Sequence, residues 1–217
     1  MKYIILANSN DKKLPFPRQL SEINGESLIC RTIRLLKENG VKDIVITARD
    51  ERFDNLGATR YEPINSDYDY NTGQGYWLNA FPFELLTEPV CFIWGDVYFS
   101  DNAIKTIVNN DDDKYLFFCT YKNRDLKYIK KHDEPLAFKV VDTELFKEKI
   151  NEVKKLKDDK VCCREPIIWE VYRVMNDIYV NEHRLKDNVV VINDESCDID
   201  CIEDLEKLKK VLEVKND

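Results

Sequence analysis

The sequence predicts an α/β fold, a mixed but mostly parallel sheet between two layers of helices, and three observations predict it. Short, continuously apolar runs recur at Lys2–Ala7, Asp43–Ala48 and Pro89–Trp94, as strands buried on both faces require. Helix-period segments separate such runs. The first two runs and the helix between them make a βαβ unit, whose crossover is right-handed in nearly all known folds.

Taken in order, Lys2–Ala7 reads as a buried strand, followed by a polar stretch from Asn8 to Glu26 that holds Pro15, Pro17 and Gly25. Ser27–Asn39 places Ile29, Cys30, Ile33 and Leu36 on one helical face, and Gly40 fits its C-terminal stop. Asp43–Ala48 is the second strand. Arg60–Thr72, rich in Tyr, Asn and Asp, reads as loop, and Gly75–Leu86 as a helix that Pro82 must bend or end. Pro89–Trp94 is a third central strand closed by Gly95-Asp96. A short helix at Asn102–Asn109 and a strand at Lys114–Thr120 come next. The highly charged stretch from Tyr121 to Glu134 reads as an excursion or hairpin, around 121–141 with the strand Leu136–Val141 that follows it. Helices are expected near Glu144–Leu156 and Pro166–Met175, in a region around 143–176. Asn188–Ile192 is the last expected strand and Ile202–Leu212 the closing helix. The length, 217 residues, suits a single domain over 1–217.

Composition excludes several function classes. Hydrophobic residues make up 43%, enough for a sizeable core and too many for a disordered chain. The net charge of −8 repels polyanions, and every cluster of Lys and Arg has acidic neighbours, which argues against a nucleic-acid partner. No stretch approaches eighteen apolar residues and the chain enters a strand at once, so neither a membrane span nor a signal peptide is expected, and a cytoplasmic location is. The seven cysteines sit mostly in apolar runs and read as reduced thiols. Their spacing does not make a zinc site.

In open α/β sheets, ligands bind outside the carboxyl ends of the strands. Three polar clusters fall there: Asn8-Ser9-Asn10-Asp11-Lys12-Lys13 running on to Pro17-Arg18, Gly95-Asp96, and Asp194 through Asp200. Cations and exposed amides after the first strand suit a triphosphate. A carboxylate after a middle strand, with a further acidic pair, suits Mg²⁺, which takes oxygen ligands, phosphate oxygens and water. Cations facing acids are the minimum equipment for phosphoryl transfer. Each cluster also has an ordinary reading, as a solvated loop, a turn or a helix cap. Their joint occurrence at three strand ends favours the functional one.

These residues carry a resemblance. The chain resembles nucleotidyltransferases of the GT-A-like fold, a three-layer α/β/α group that includes sugar-phosphate, polyol-phosphate, phosphocholine and acidic-sugar cytidylyltransferases. Ile4-Ile5-Leu6-Ala7, Pro17-Arg18-Gln19-Leu20, Ile23-Asn24-Gly25-Glu26-Ser27-Leu28, Gly95-Asp96 and Asp198-Ile199-Asp200 with Glu203-Asp204-Leu205 carry it. The resemblance implies transfer of a nucleoside monophosphate, CMP favoured, from an NTP to a small phosphorylated sugar, polyol or amino alcohol. Pyrophosphate would be released, in the service of capsule or other surface-polymer precursors. Asp96 with Asp198 or Asp200 would hold Mg²⁺. Arg18 and Lys12 or Lys13 would offset charge on the phosphates. Ala7, Asn8, Ser9, Asn10 and Asp96 would line the nucleotide site, and Thr72, Gly73 and Gln74 would contact the base. The loop after the first strand departs from the family in having no glycine, and Arg18 stands where the family has lysine; the two side chains are not interchangeable.

Acceptor recognition is assigned to Arg164, Arg173 and Trp169, on or beside the helix that starts near Pro166, because arginine suits a phosphate. The ordinary reading makes Trp169 core and Arg173 a surface partner of Glu170. Two alternatives stand beside the transferase. A GT-A glycosyltransferase commonly presents Asp-x-Asp, whereas this triplet is Asp96-Val97-Tyr98. A degenerate nucleotide-binding homologue would fit the missing glycines.

Overall fold

Residues 1–8, 16–64, 74–121 and 133–216 are described by a computed structural model of the chain. Its strands are β1 (Lys2–Leu6), β2 (Glu22–Ile23), β3 (Glu26–Ser27), β4 (Ile44–Thr47), β5 (Thr59–Tyr61), β6 (Val90–Trp94), β7 (Val97–Tyr98), β8 (Tyr115–Cys119), β9 (Pro135–Val140), β10 (Val189–Val191) and β11 (Cys197–Asp198). Its helices are α1 (Leu28–Glu38), α2 (Asp101–Asn109), α3 (Thr143–Asp158), α4 (Ile168–Met175) and α5 (Ile202–Asn216). Seven strands form the main sheet in the order β10-β8-β9-β6-β1-β4-β5. Only β9 runs against the rest, pairing antiparallel with both β6 and β8.

Burial on both faces explains the apolar runs. Side chains alternate across a strand, so Tyr3 and Ile5 of β1 join α1 and α2 in one core, while Ile4 joins α3 and α4 in the other. The same division splits Cys91 and Ile93 of β6 from Val90 and Phe92. Phe81, Phe92, Phe138 and Phe146 meet ring to ring in the second core, mostly edge to face.

Helix α1 begins where its capping residue allows: the Ser27 hydroxyl accepts the Cys30 amide at 3.3 Å. It ends at Gly40, whose φ of +85° is the left-handed stop expected there. Lys139 shows how a buried charge is accommodated on β9. It is 1% exposed, and its ammonium donates to Val108 O, Asn110 O and the Asp111 carboxylate at 2.6–3.1 Å, so it ties down the C-terminal end of α2. Lys139→Met, which orphans these acceptors, is expected to cost about 1–3 kcal/mol. Thermal unfolding should show a melting point lower by roughly 3–10 °C; an unchanged one would contradict the anchoring role.

The sequence reading needs correction at three places. Gly75–Leu86 is not a helix bent at Pro82 but two short 3₁₀ turns, Trp77–Ala80 and Phe83–Leu85. The residue before a proline is driven out of the α region, and Phe81 accordingly has φ −73° and ψ 128°. Within the stretch read as loop, Arg60 and Tyr61 belong to β5, a three-residue edge strand paired parallel with β4. Its brevity and its Arg60–Asp54 ion pair hide it from a periodicity search. Asn188–Ile192 is not the last strand, because β11 follows. Of the expected charged excursion, residues 122–132 lie outside the described residues, while Pro135–Val140 is an interior strand of the sheet.

All seven cysteines are free, and Cys91, Cys119 and Cys197 are buried. Burial pushes the Cys91 thiol up to about 12, so it stays protonated and inert. Among the described residues no helix is long and apolar enough to cross a membrane.

Candidate active site

Strands β1 and β6 are parallel neighbours, with Leu6 opposite Trp94, so the residues that follow them emerge side by side at the carboxyl rim. Ala7 is buried, with its amide donating to Thr47 O at 3.0 Å. Asn8 comes next. Both polar atoms of its side-chain amide are buried and have no hydrogen-bond partner among the described residues, an arrangement that favours a ligand able to supply one. Gly95 lies against this rim, its amide donating to Leu6 O at 3.0 Å. A Cβ at position 95 would stand 2.8 Å from Leu6 O, so only glycine lets the β6 turn approach β1 this closely.

Asp96 is met there by residues from the far end of the sequence. Strand β11 pairs antiparallel with β7, Asp198 opposite Val97, and the Ile199 amide donates to Asp96 O at 2.8 Å. Ser100 and Asp194 prepare this return. The Ser100 hydroxyl caps α2 and donates to Asp194 at 2.6 Å, while the Ser196 hydroxyl accepts the Ser100 amide at 2.9 Å. Cys197 and Ile199 turn into a small core with Ile23, Leu28, Tyr98 and Leu208. By the two-residue period, Asp198 and Asp200 are left on the opposite side.

Arg18 completes the cluster. It opens a 3₁₀ turn after Pro17, with Gln19 buried beneath it. Its guanidinium reaches Asp96 through Nε at 3.5 Å and Asp200 through Nη1. One planar fork thus joins acids from the turn after β6 and from the loop before α5, which brings Arg18, Asp96 and Asp200 together, with Asp198 in the ladder alongside. Among the described residues no group of three or more His, Cys, Asp or Glu side chains forms a ready-made metal cage. The donor set nonetheless fits Mg²⁺ bound with nucleotide, since that ion takes one or two carboxylates and completes its shell with phosphate and water.

Ser9, Asn10, Lys12, Lys13, Thr72 and Gly73 lie outside the described residues. Gln74 is exposed at the start of a segment fixed to the far end of α3. Gly75 has φ +82° and its carbonyl accepts Lys157 Nζ at 2.8 Å. Tyr76 donates to Asp158 at 2.7 Å, and the Trp77 amide donates to Glu165 at 2.9 Å.

On the same rim a cavity of about 560 Å³ opens beside β8 and β9, lined in part by Asp133, Glu134, Arg164, Trp169, Arg173 and His183. Its size suits a small ligand. Because Thr120 N donates to Glu134 O and Cys119 faces Pro135, residues 133 and 134 stand at the carboxyl ends of the parallel strands. β9 is the immediate neighbour of β6, so this rim is one strand, on the order of 5 Å, from the strand that leads to Asp96.

The three residues assigned to the acceptor differ in role. Trp169 is 3% exposed and its ring meets Phe117 edge-on at 4.9 Å, a core residue with one edge on the cavity. Arg173 is not at the surface. It is 4% exposed, donating to Glu170 at 2.8 Å and Val180 O at 2.7 Å. Burial lowers its pKa, opposed by Glu170. Arg164 is half exposed and shares the same Glu170 at 3.0 Å. Glu170 also accepts the Ile167 amide at 2.8 Å, at the start of α4. Glu170 was detectable in the sequence from its place three residues into the helix. Asp133 and His183 were not, because the fold alone joins positions fifty apart.

Comparison with protein-family models and with curated protein sequences gives no match, so likeness rests on structure. The fold is similar to that of the CTP:phosphocholine cytidylyltransferase LicC from Streptococcus pneumoniae, with TM-score 0.56 and 19% identity over 97% of this chain and 98% of that one. A putative glucose-1-phosphate thymidylyltransferase from Bacillus anthracis gives TM-score 0.64 and 14% identity, covering 97% and 94%. HddC from Yersinia pseudotuberculosis gives 0.53 and 14%, covering 97% and 99%. At these identities the likeness establishes a shared fold: a mixed, mostly parallel sheet between helices, as in these nucleotidyltransferases.

Proposed function

We propose that the chain is a Mg²⁺-dependent nucleotidyltransferase that joins a nucleoside monophosphate, CMP by preference, to a small phosphorylated acceptor and releases pyrophosphate. The observation that carries this reading is the convergence of Asp96, Asp200 and Arg18 at the shared carboxyl end of β1 and β6. That is where a parallel α/β sheet binds its ligand. The fold shared with nucleotidyltransferases and the cavity one strand away support it.

A phosphate oxygen of the acceptor attacks the α-phosphorus, and the bond to the pyrophosphate oxygen breaks. Such transfer requires positioning and charge neutralisation rather than a protein nucleophile. Asp96 with Asp198 or Asp200 would hold Mg²⁺, which when bound neutralises phosphate charge. Arg18 supplies a planar donor fork to the phosphates, with Lys12 or Lys13 assisting. The Asn8 amide, at the carboxyl end of β1, would line the nucleotide site, and Thr72, Gly73 and Gln74 would contact the base. The CMP preference rests on the Asp198-Ile199-Asp200 pattern and on the cytidylyltransferase among the structural neighbours. A role in surface-polymer precursors is part of the same proposal. A glycosyltransferase reading gains nothing, because Val97 and Tyr98 are buried and the triplet presents only one carboxylate.

The test is thermal shift with each common NTP and Mg²⁺. CTP at a hundred times its dissociation constant should raise the melting point by roughly 5–10 °C. Pyrophosphate release is then measured with CTP and phosphocholine, glycerol 3-phosphate or glucose 1-phosphate. No shift with any NTP, or transfer from a nucleotide sugar instead, would overturn the reading.

A further inference from the structure

We propose that His183 is a positioning residue of the acceptor cavity, held as its neutral Nε2–H tautomer between Arg173 and Asp133. This inference rests on the cavity being the acceptor site.

The tautomer follows from the partners. A guanidinium carries donors and no acceptor, and Arg173 Nη2 stands 2.9 Å from His183 Nδ1. Nδ1 is therefore the ring's lone pair, and the proton sits on Nε2, 3.0 Å from an Asp133 carboxylate oxygen. Four side chains form one line, Glu170–Arg173–His183–Asp133, joining the buried end of α4 to the start of β9 across the cavity wall. The imidazole is further held by rings, Trp169 at 5.1 Å and Tyr121 at 5.7 Å between centroids.

The line tolerates one protonation state. A second proton would go to Nδ1 and set two donors, both cationic, face to face. Arg173 has no room to withdraw, being 4% exposed and bonded to Glu170 and Val180 O. Asp133 accepts from Nε2–H in either state, so protonation keeps that bond and breaks the one to Arg173. Of the remaining charges near the ring, Glu182 and Arg184 pair with each other at 3.0 Å, and Arg164 is engaged by Glu170. Glu134 lies on the rim beside Asp133. Among the described residues, His183 Nδ1 is the acceptor that faces Arg173 Nη2. The wall is thus set for the acceptor while Nδ1 carries no proton, and slackens if it gains one.

Two measurements test this. The chain has only two histidines, so long-range ¹H–¹⁵N spectra of the full chain, with His132→Gln for assignment, read the His183 tautomer at about pH 8. A bare Nδ1 and a protonated Nε2 are expected. Kinetics with CTP and the most active of the three acceptors above should show His183→Ala raising the acceptor KM about tenfold, with the CTP KM and kcat little changed. In His183→Asn the Oδ1 replaces the Nδ1 lone pair toward Arg173 but the bond to Asp133 is lost. That variant should raise the acceptor KM by less than His183→Ala does. A protonated Nδ1, or an acceptor KM unchanged in His183→Ala, overturns the inference and leaves the transferase standing. No turnover with any acceptor removes the transferase reading and this positioning role with it, while the spectra still decide the tautomer.

Discussion

Asp96→Ala is expected to lower turnover about a thousandfold while the fold survives. Stabilising transition-state charge through a metal ligand is worth several kcal/mol, and each ~1.4 kcal/mol is a factor of ten in rate. The fold should survive because the backbone contacts around Asp96 do not depend on its side chain. Its carbonyl accepts the Ile199 amide, and Val97 beside it pairs in a β-ladder, contacts the substitution leaves in place. Asp96→Asn is the sharper variant, keeping shape and removing charge. Pyrophosphate release measures the rate, and thermal unfolding separates chemistry from stability. Either variant retaining a tenth of wild-type turnover would contradict the assignment, as would a melting point so low that the loss is one of folding.

The parts of this fold legible in the sequence are those whose signals are local. β1 and β6 announce themselves because both faces are buried, and α1 because Ser27 and Gly40 mark its ends. What escaped depended on neighbours distant in sequence. The apolar residues of Gly75–Leu86 have helical spacing, yet Pro82 divides them into turns, and Leu78 and Phe81 reach the core all the same.

The site was legible in its members more than in its construction. Asp96, Asp198 and Asp200 were picked out because each follows a strand. But β10, which precedes the acidic loop, lies at the opposite edge of the sheet from β4 and β5 and three strands from β6. The acids meet because β11 crosses back to pair with β7, a two-residue ladder too short to show in any pattern. The acceptor side was less legible still. Nothing in Arg164-Glu165-Pro166 or Trp169-Glu170 reveals that one carboxylate serves two arginines, or that a histidine ten residues past Arg173 finishes the line.

Arg18 should give the second large effect, with a sign that separates two roles. Its guanidinium lies between Asp96 and Asp200, the carboxylates proposed to hold Mg²⁺. On the proposed reading the guanidinium competes with Mg²⁺ for these carboxylates, and the phosphates of a nucleotide offer it another partner. Removing the guanidinium has opposite consequences for the two events. Arg18→Met should cost a hundredfold or more in turnover, the scale of a charge-stabilising arginine in phosphoryl transfer. It should also tighten Mg²⁺ binding to the nucleotide-free protein at least tenfold, because the carboxylates lose their competing cation and gain mutual repulsion. Titration with Mg²⁺ followed by calorimetry reads the second effect without any turnover. Arg18→Lys should fall between, a point charge keeping one ion pair but not the fork. Because truncating one partner of a part-buried ion pair also strains the fold, unfolding of each variant is measured alongside. If Arg18→Met loses turnover with Mg²⁺ affinity unchanged and its fold intact, the acids do not hold the metal and Arg18 acts on the phosphates alone. If it binds Mg²⁺ more tightly and turns over normally, Arg18 is only a placeholder between the acids, and the charge on the phosphates is met elsewhere.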